Sequence, residues 1–120
     1  MAIRETMKKS VDALNKHDVK AHLTTLTKDY ENWTGSRKGL KAREEYFTER
    51  WKWDKNVKYN VVEEIGIIFV SPDVAIYKAH CESTGLVEKD GTPRQKNEWL
   101  GAWILVKKSG EWLIAAFFSS

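Results

Sequence analysis

Apolar residues recur at helical spacing through the first third of the chain and at alternate positions through most of the rest. Ile3, Met7, Val11 and Leu14 have Lys and Asp between them, which predicts an amphipathic helix. Asn15-Lys16-His17-Asp18 breaks it, and Asp18 is placed to cap a second, shorter helix carrying Val19, Leu23 and Leu26. Residues 30–33 read as a short aromatic strand and residues 34–39 as a loop. A third helix is expected over 40–51, with Leu40, Phe47 and Trp51 along one stripe. From Val57 onward the pattern turns to strands: 58–70, with Gly66 a candidate bulge, and 74–87, with turns at 71–73 and 89–93. The segment 99–120 then reads as a hairpin folded about Lys107-Lys108-Ser109-Gly110.

That hairpin is apolar on both faces. Leu100, Ala102, Ile104 and Val106 alternate with Trp99, Trp103 and Leu105. On the second strand Trp112, Ile114, Ala116 and Phe118 alternate with Leu113, Ala115 and Phe117. Successive side chains of a strand point to opposite faces, so both faces need cover. A chain of 120 residues is long enough for one core, which makes 1–120 a single domain and leaves the second face to a partner. Three helices followed by an antiparallel meander define an α+β fold. A curved sheet wrapped on those helices leaves a cavity between them.

Composition narrows the function classes. An aromatic share of 12%, with six Trp, exceeds what core packing needs and points to a pocket or an interface. Lys and Arg number 20 against 17 Asp and Glu, interspersed, which argues against nucleic-acid binding. Cys81 is the lone cysteine, so no internal disulfide forms and a reducing compartment fits. With no signal-like start and no apolar run near the roughly 18 residues of a spanning helix, the expectation is a cytoplasmic protein off the membrane. His17, His22 and His80 show no metal-ligand spacing. The glycines are dispersed and build no phosphate-cradling loop, and no Gly-x-Ser-x-Gly turn is present, so no cofactor or metal is expected.

Several local motifs fall in a familiar order. His17-Asp18 lies between the first two helices, Gly39-Leu40-Lys41-Ala42-Arg43-Glu44 opens the third, and Ser71-Pro72-Asp73-Val74-Ala75 starts a strand. Val106-Lys107-Lys108-Ser109-Gly110-Glu111-Trp112 forms the hairpin and Ser120 closes the chain. Together they resemble the nuclear transport factor 2-like superfamily, and within it the SnoaL-like group. The resemblance implies a cone of strongly curved antiparallel sheet (a cystatin-like half-barrel) packed on three N-terminal helices. It also implies a pocket inside the cone and an outer sheet face that often pairs two subunits. The positions matching the ketosteroid isomerase pattern are approximately Ser10, Thr34 and Ala102, and the terminal His of many SnoaL-like chains is Phe118 here. None suits that mechanism.

The remaining acid with a place on the expected pocket face is Glu98, which shares it with Leu100, Ala102, Ile104 and Val106. Tyr77 and Cys81 are expected to point inward and His80 outward. The expected lining is Tyr30, Trp33, Trp53, Tyr59, Tyr77, Ala102 and Ile104. Trp99, Trp103 and Leu105 are expected at a homodimer contact on the outer face. The functional reading is a homodimeric domain that binds a small hydrophobic molecule. An isomerase, dehydratase or cyclase using Glu98 or a pocket tyrosine as general acid/base is the alternative, and a pure association module the third.

Overall fold

The computed structural model describes residues 2–33 and 37–120. Helix α1 (Ala2–Asn15) buries the stripe Ile3, Met7, Ser10 and Leu14, one residue per turn. Asp18 caps α2 (Val19–Leu23), its carboxylate accepting from the Ala21 N–H at 3.1 Å. Leu26 belongs to strand β1 (Leu26–Asn32) and not to α2 as its spacing suggested. A two-residue β2 (Arg37–Lys38) and helix α3 (Leu40–Arg50) follow; the expected loop at 34–36 lies outside the described residues. Four long strands complete the chain: β3 (Lys58–Ser71), β4 (Val74–Thr84), β5 (Asn97–Lys108) and β6 (Glu111–Ser119).

These strands form one sheet in the order β2-β1-β6-β5-β4-β3. It is antiparallel except that β1 runs parallel to β6. Three register shifts along β3 insert an extra residue against β4, at Val62, Ile65 and Val70. Each bulge bends and twists its strand, so the sheet curls into an open cone. The expected bulge at Gly66 thus falls one residue earlier. Helices α1 and α3 pack over the concave side, α1 on β3 and β6 and α3 on β1, with α2 joining them. Asn15, at the end of α1, pairs with the Tyr59 backbone through both its amide groups (2.7 and 2.9 Å) and fixes the start of β3. Among the described residues no helix is long and apolar enough to cross a membrane.

The facing of β4 follows its alternation, with Ala75, Tyr77, Ala79, Cys81 and Ser83 buried inward and His80 outward. The facing of β5 is the reverse of the expected one. Cross-strand partners share a face, and Cys81 pairs with Trp99, Ala79 with Gly101, Tyr77 with Trp103 and Ala75 with Leu105. Trp99, Trp103 and Leu105 therefore point into the cone, and Leu105 is fully buried beside Ile114. Glu98, Leu100, Ala102 and Ile104 point outward, so the dimer contact expected of Trp99, Trp103 and Leu105 is corrected. On β6 one register shift, with Ala115 as the extra residue, turns the inward set from Trp112 and Ile114 to Phe117 and Ser119.

Candidate functional site: an aromatic cavity with an arginine wall

Between the concave face and the helices lies a cavity of about 350 Å³. Its sheet wall is aromatic. Trp103 stacks on Phe117 at 4.8 Å between centroids, and Trp99 meets Phe117 edge-on at 5.6 Å. The Trp99 indole N–H donates to Ser83 Oγ at 3.1 Å, which holds that ring at the cavity edge. Gly101 lets both indoles lie flat on the sheet. A Cβ there would sit 2.6 Å from the Trp103 ring and 2.9 Å from the Trp99 ring.

The opposite wall comes from α3. Arg43, Tyr46, Phe47 and Arg50 recur at i, i+3, i+4 and i+7, so one helical face carries all four to the cavity. Arg43 is 9% exposed. Its guanidinium lies over the Phe47 ring at 4.5 Å and the Tyr30 ring at 5.2 Å. Its Nε–H donates to Nε2 of the buried His22 at 3.3 Å. Arg50 donates to Asp54 Oδ2 at 2.8 Å, and Asp54 is wholly enclosed, its other oxygen accepting the Val87 N–H at 3.1 Å.

The donation from Arg43 settles the tautomer of His22. Nε2 keeps the lone pair, so Nδ1 carries the proton and donates to Ser10, whose Oγ is 3.0 Å away. His22 therefore cannot take a proton from Ser10, and the pair is no activated nucleophile. Burial, and then the nearby Arg43 charge, lower the His22 pKa from 6.5 to about 3. The unfolded chain binds this proton more readily than the folded one below pH 6.5. Stability tied to His22 is thus full above 6.5 and is lost as the pH falls towards 3, at up to about 1.4 kcal/mol per pH unit. Urea unfolding at pH 7 and pH 4.5 should show the native chain losing roughly 2–3 kcal/mol more than His22→Gln. Equal losses would contradict a buried neutral imidazole.

Of the residues expected to line the cavity, Tyr30 and Tyr59 do so. Burial pushes the Tyr59 phenol up to about 12, so it stays protonated. Tyr77 points inward but is packed in the core, its phenol beside Glu64, raised to about 12 by burial and then by that carboxylate. Trp33 is 60% exposed and stacks on Phe118 at 5.3 Å. Trp53 lies past α3 between Arg50 and Lys89, at 5.8 and 5.6 Å. Ala102 and Ile104 are on the outer face, as the pairings with Lys78 and Ile76 require. Glu98 is also outside, 3.7 Å from His80 and 4.0 Å from Lys96, and has no access to the cavity. Thr34 lies outside the described residues. Cys81 lines the cavity with its thiol raised to about 11 by burial, a packing role. Among the described residues no group of three or more His, Cys, Asp and Glu gathers to hold a metal ion.

No protein-family model matches the chain, and no curated protein matches it by sequence. Solved structures match it in shape. An NTF-2-like protein of unknown function from Shewanella oneidensis has a TM-score of 0.79 at 14% identity, covering 99% of this chain and 96% of that one. A ketosteroid isomerase-like protein from Erwinia carotovora atroseptica has a TM-score of 0.77 at 20% identity, covering 99% and 92%. The association domain of C. elegans CaMKII has a TM-score of 0.74 at 14% identity, covering 98% and 92%. At these identities the likeness is one of fold, and the chain has the fold of the nuclear transport factor 2-like superfamily, as its motifs implied.

Proposed function

We propose that the chain is a small-molecule-binding domain that holds a ligand with a flat, largely apolar body in its cone and associates with a second copy through the outer sheet face. The observation that carries this is the cavity, whose volume of about 350 Å³ suits a compact ligand and whose sheet wall offers Trp99, Trp103 and Phe117 as stacking surfaces. The fold hosts isomerase-like proteins and association domains alike, so the site has to decide. Against an isomerase or dehydratase, Glu98 faces away from the cavity, and among the described residues no Asp or Glu side chain lines it. Tyr59, with its phenol near 12, is a poor proton donor or acceptor at neutral pH. Self-association is supported by a row of apolar residues across the outer face: Ile68, Ile76, Ile104 and Ala116 pair in sequence from strand to strand.

Binding is tested with a neutral fluorescent probe, N-phenyl-1-naphthylamine. Its emission should rise saturably with one site per chain, and Val61→Phe, which fills the cavity from β3, should abolish that rise. A non-saturating response, or one that Val61→Phe leaves intact, would overturn the reading.

A further inference from the structure

We infer that Tyr59 selects the occupant of the cavity by donating its phenol O–H to a neutral acceptor on the ligand. That acceptor is a carbonyl oxygen or an aromatic ring nitrogen, lying in the plane of a flat body that rests against Trp99. This rests on the small-molecule reading of the same cavity and adds a polar group at a defined place on the ligand's edge. Tyr59 opens the inner face of β3, with Ser83 as its cross-strand partner on β4. Ser83 Oγ accepts the Trp99 indole N–H at 3.1 Å, so the phenol and the indole flank one residue. Asn15 grips the Tyr59 backbone, accepting its N–H at 2.7 Å and donating to its carbonyl at 2.9 Å. The phenol is thus anchored from α1 ahead of any ligand, which lowers the cost of ordering it on binding.

The hydroxyl itself is uncommitted. Tyr59 lines the cavity, and among the described residues no side-chain or backbone group shares a hydrogen bond with its phenol. Polar neighbours on the cavity wall are engaged: Ser10 with His22, Ser83 with Trp99, and Ser120 with the Leu100 N–H. Solvent can satisfy the phenol O–H. An apolar body in its place leaves that donor buried without a partner, which is costly unless the body brings an acceptor. Burial pushes the Tyr59 phenol up to about 12, so the group presents an O–H and gives up no proton at neutral pH. A charged acceptor would have to shed its hydration against the aromatic wall, whereas a carbonyl or ring nitrogen sheds far less. An in-plane lone pair also leaves both faces of the ligand free to stack.

The test uses isosteric pairs that displace N-phenyl-1-naphthylamine from the intact chain at pH 7. The pairs are quinoline against naphthalene, and 2-acetylnaphthalene against 2-isopropenylnaphthalene. Tyr59→Phe removes the hydroxyl and keeps the ring. It should weaken quinoline or the ketone about 3- to 10-fold while both hydrocarbons stay within about twofold. The pair with the larger loss identifies the acceptor atom. The hydrogen bond itself is read from the carbonyl stretch of bound 2-acetylnaphthalene and the ¹⁵N resonance of bound labelled quinoline. On the native chain one of these should move from its value in cyclohexane in the direction hydrogen bonding requires, and revert in Tyr59→Phe. Equal losses of acceptor and hydrocarbon would reduce Tyr59 to packing and overturn the inference. Unchanged affinities in Tyr59→Phe, or a loss found in Tyr46→Phe instead, would overturn it too. Displacement by none of the four compounds would also overturn it, while the small-molecule reading stands or falls with the saturable rise of the fluorescent probe. Were Tyr59→Phe to fail to fold, signals of both bound probes unmoved on the native chain would still refute the donation.

Discussion

A Leu105→Glu variant is expected to be unfolded, whereas Ile104→Glu, one residue away, is expected to stay folded and to lose self-association. Leu105 is fully buried against Ala75 and Ile114. Removing it forfeits about 1.5–3 kcal/mol of apolar burial. Placing an unpaired carboxyl in that space costs several kcal/mol more. The sum approaches the whole stability of a small domain, about 5–15 kcal/mol. Ile104 lies on the outer face, so a charge there meets water in the single chain, with an effect within about 1 kcal/mol. In an assembly through that face it would be buried against the partner and repel its symmetry mate. Circular dichroism melts and sedimentation should give an unfolded Leu105→Glu and a folded 13.9 kDa Ile104→Glu. The opposite pattern would return Leu105 to an interface and refute the assigned faces.

The second large effect is expected at Asp54. It is wholly enclosed, receives Arg50 at 2.8 Å and the Val87 N–H at 3.1 Å, and so ties the end of α3 to the chain beyond β4. Asp54→Ala leaves a guanidinium at the cavity wall and a backbone N–H without their acceptor. Breaking a buried pair from one side costs about 3–5 kcal/mol. Asp54→Asn keeps the acceptor for Val87 and should recover part of that loss. Denaturant midpoints measure both, and an Asp54→Ala change below about 1 kcal/mol would show that the pair contributes no more than a surface ion pair.

The helices and strands were legible because their periods are undisturbed: the stripe of α1, the Asp18 cap and the alternation of β4 all stand in the sequence. The facing of β5 was not, because both of its faces are apolar and alternation alone cannot choose between them. The decisive clue is register. Once Cys81 and Tyr77 are assigned inward, their cross-strand partners must follow, and those are Trp99 and Trp103. The Gly between the two tryptophans was a second clue, since two indoles flanking a residue with no side chain can lie down over it. The reversal within β6 was hidden, because the bulge at Ala115 has no sequence mark such as Gly or Pro. On α3 the eye follows Leu40, Phe47 and Trp51. The cavity face is defined instead by Arg43, Tyr46, Phe47 and Arg50, and charged residues on an inward stripe read as solvent-facing until the helix is docked.

We propose that a ligand lies between the inner face of β5 and β6 and the facing wall of α3. This is tested most directly by ¹⁹F spectra of the chain labelled with 5-fluorotryptophan and titrated with N-phenyl-1-naphthylamine. Resonances of Trp99 and Trp103, assigned by single Trp→Phe exchanges, should shift together and saturate, while those of Trp33 and Trp53 stay in place. Shifts confined to Trp33 or Trp53, or none at a saturating probe concentration, would rule out a ligand in the cone.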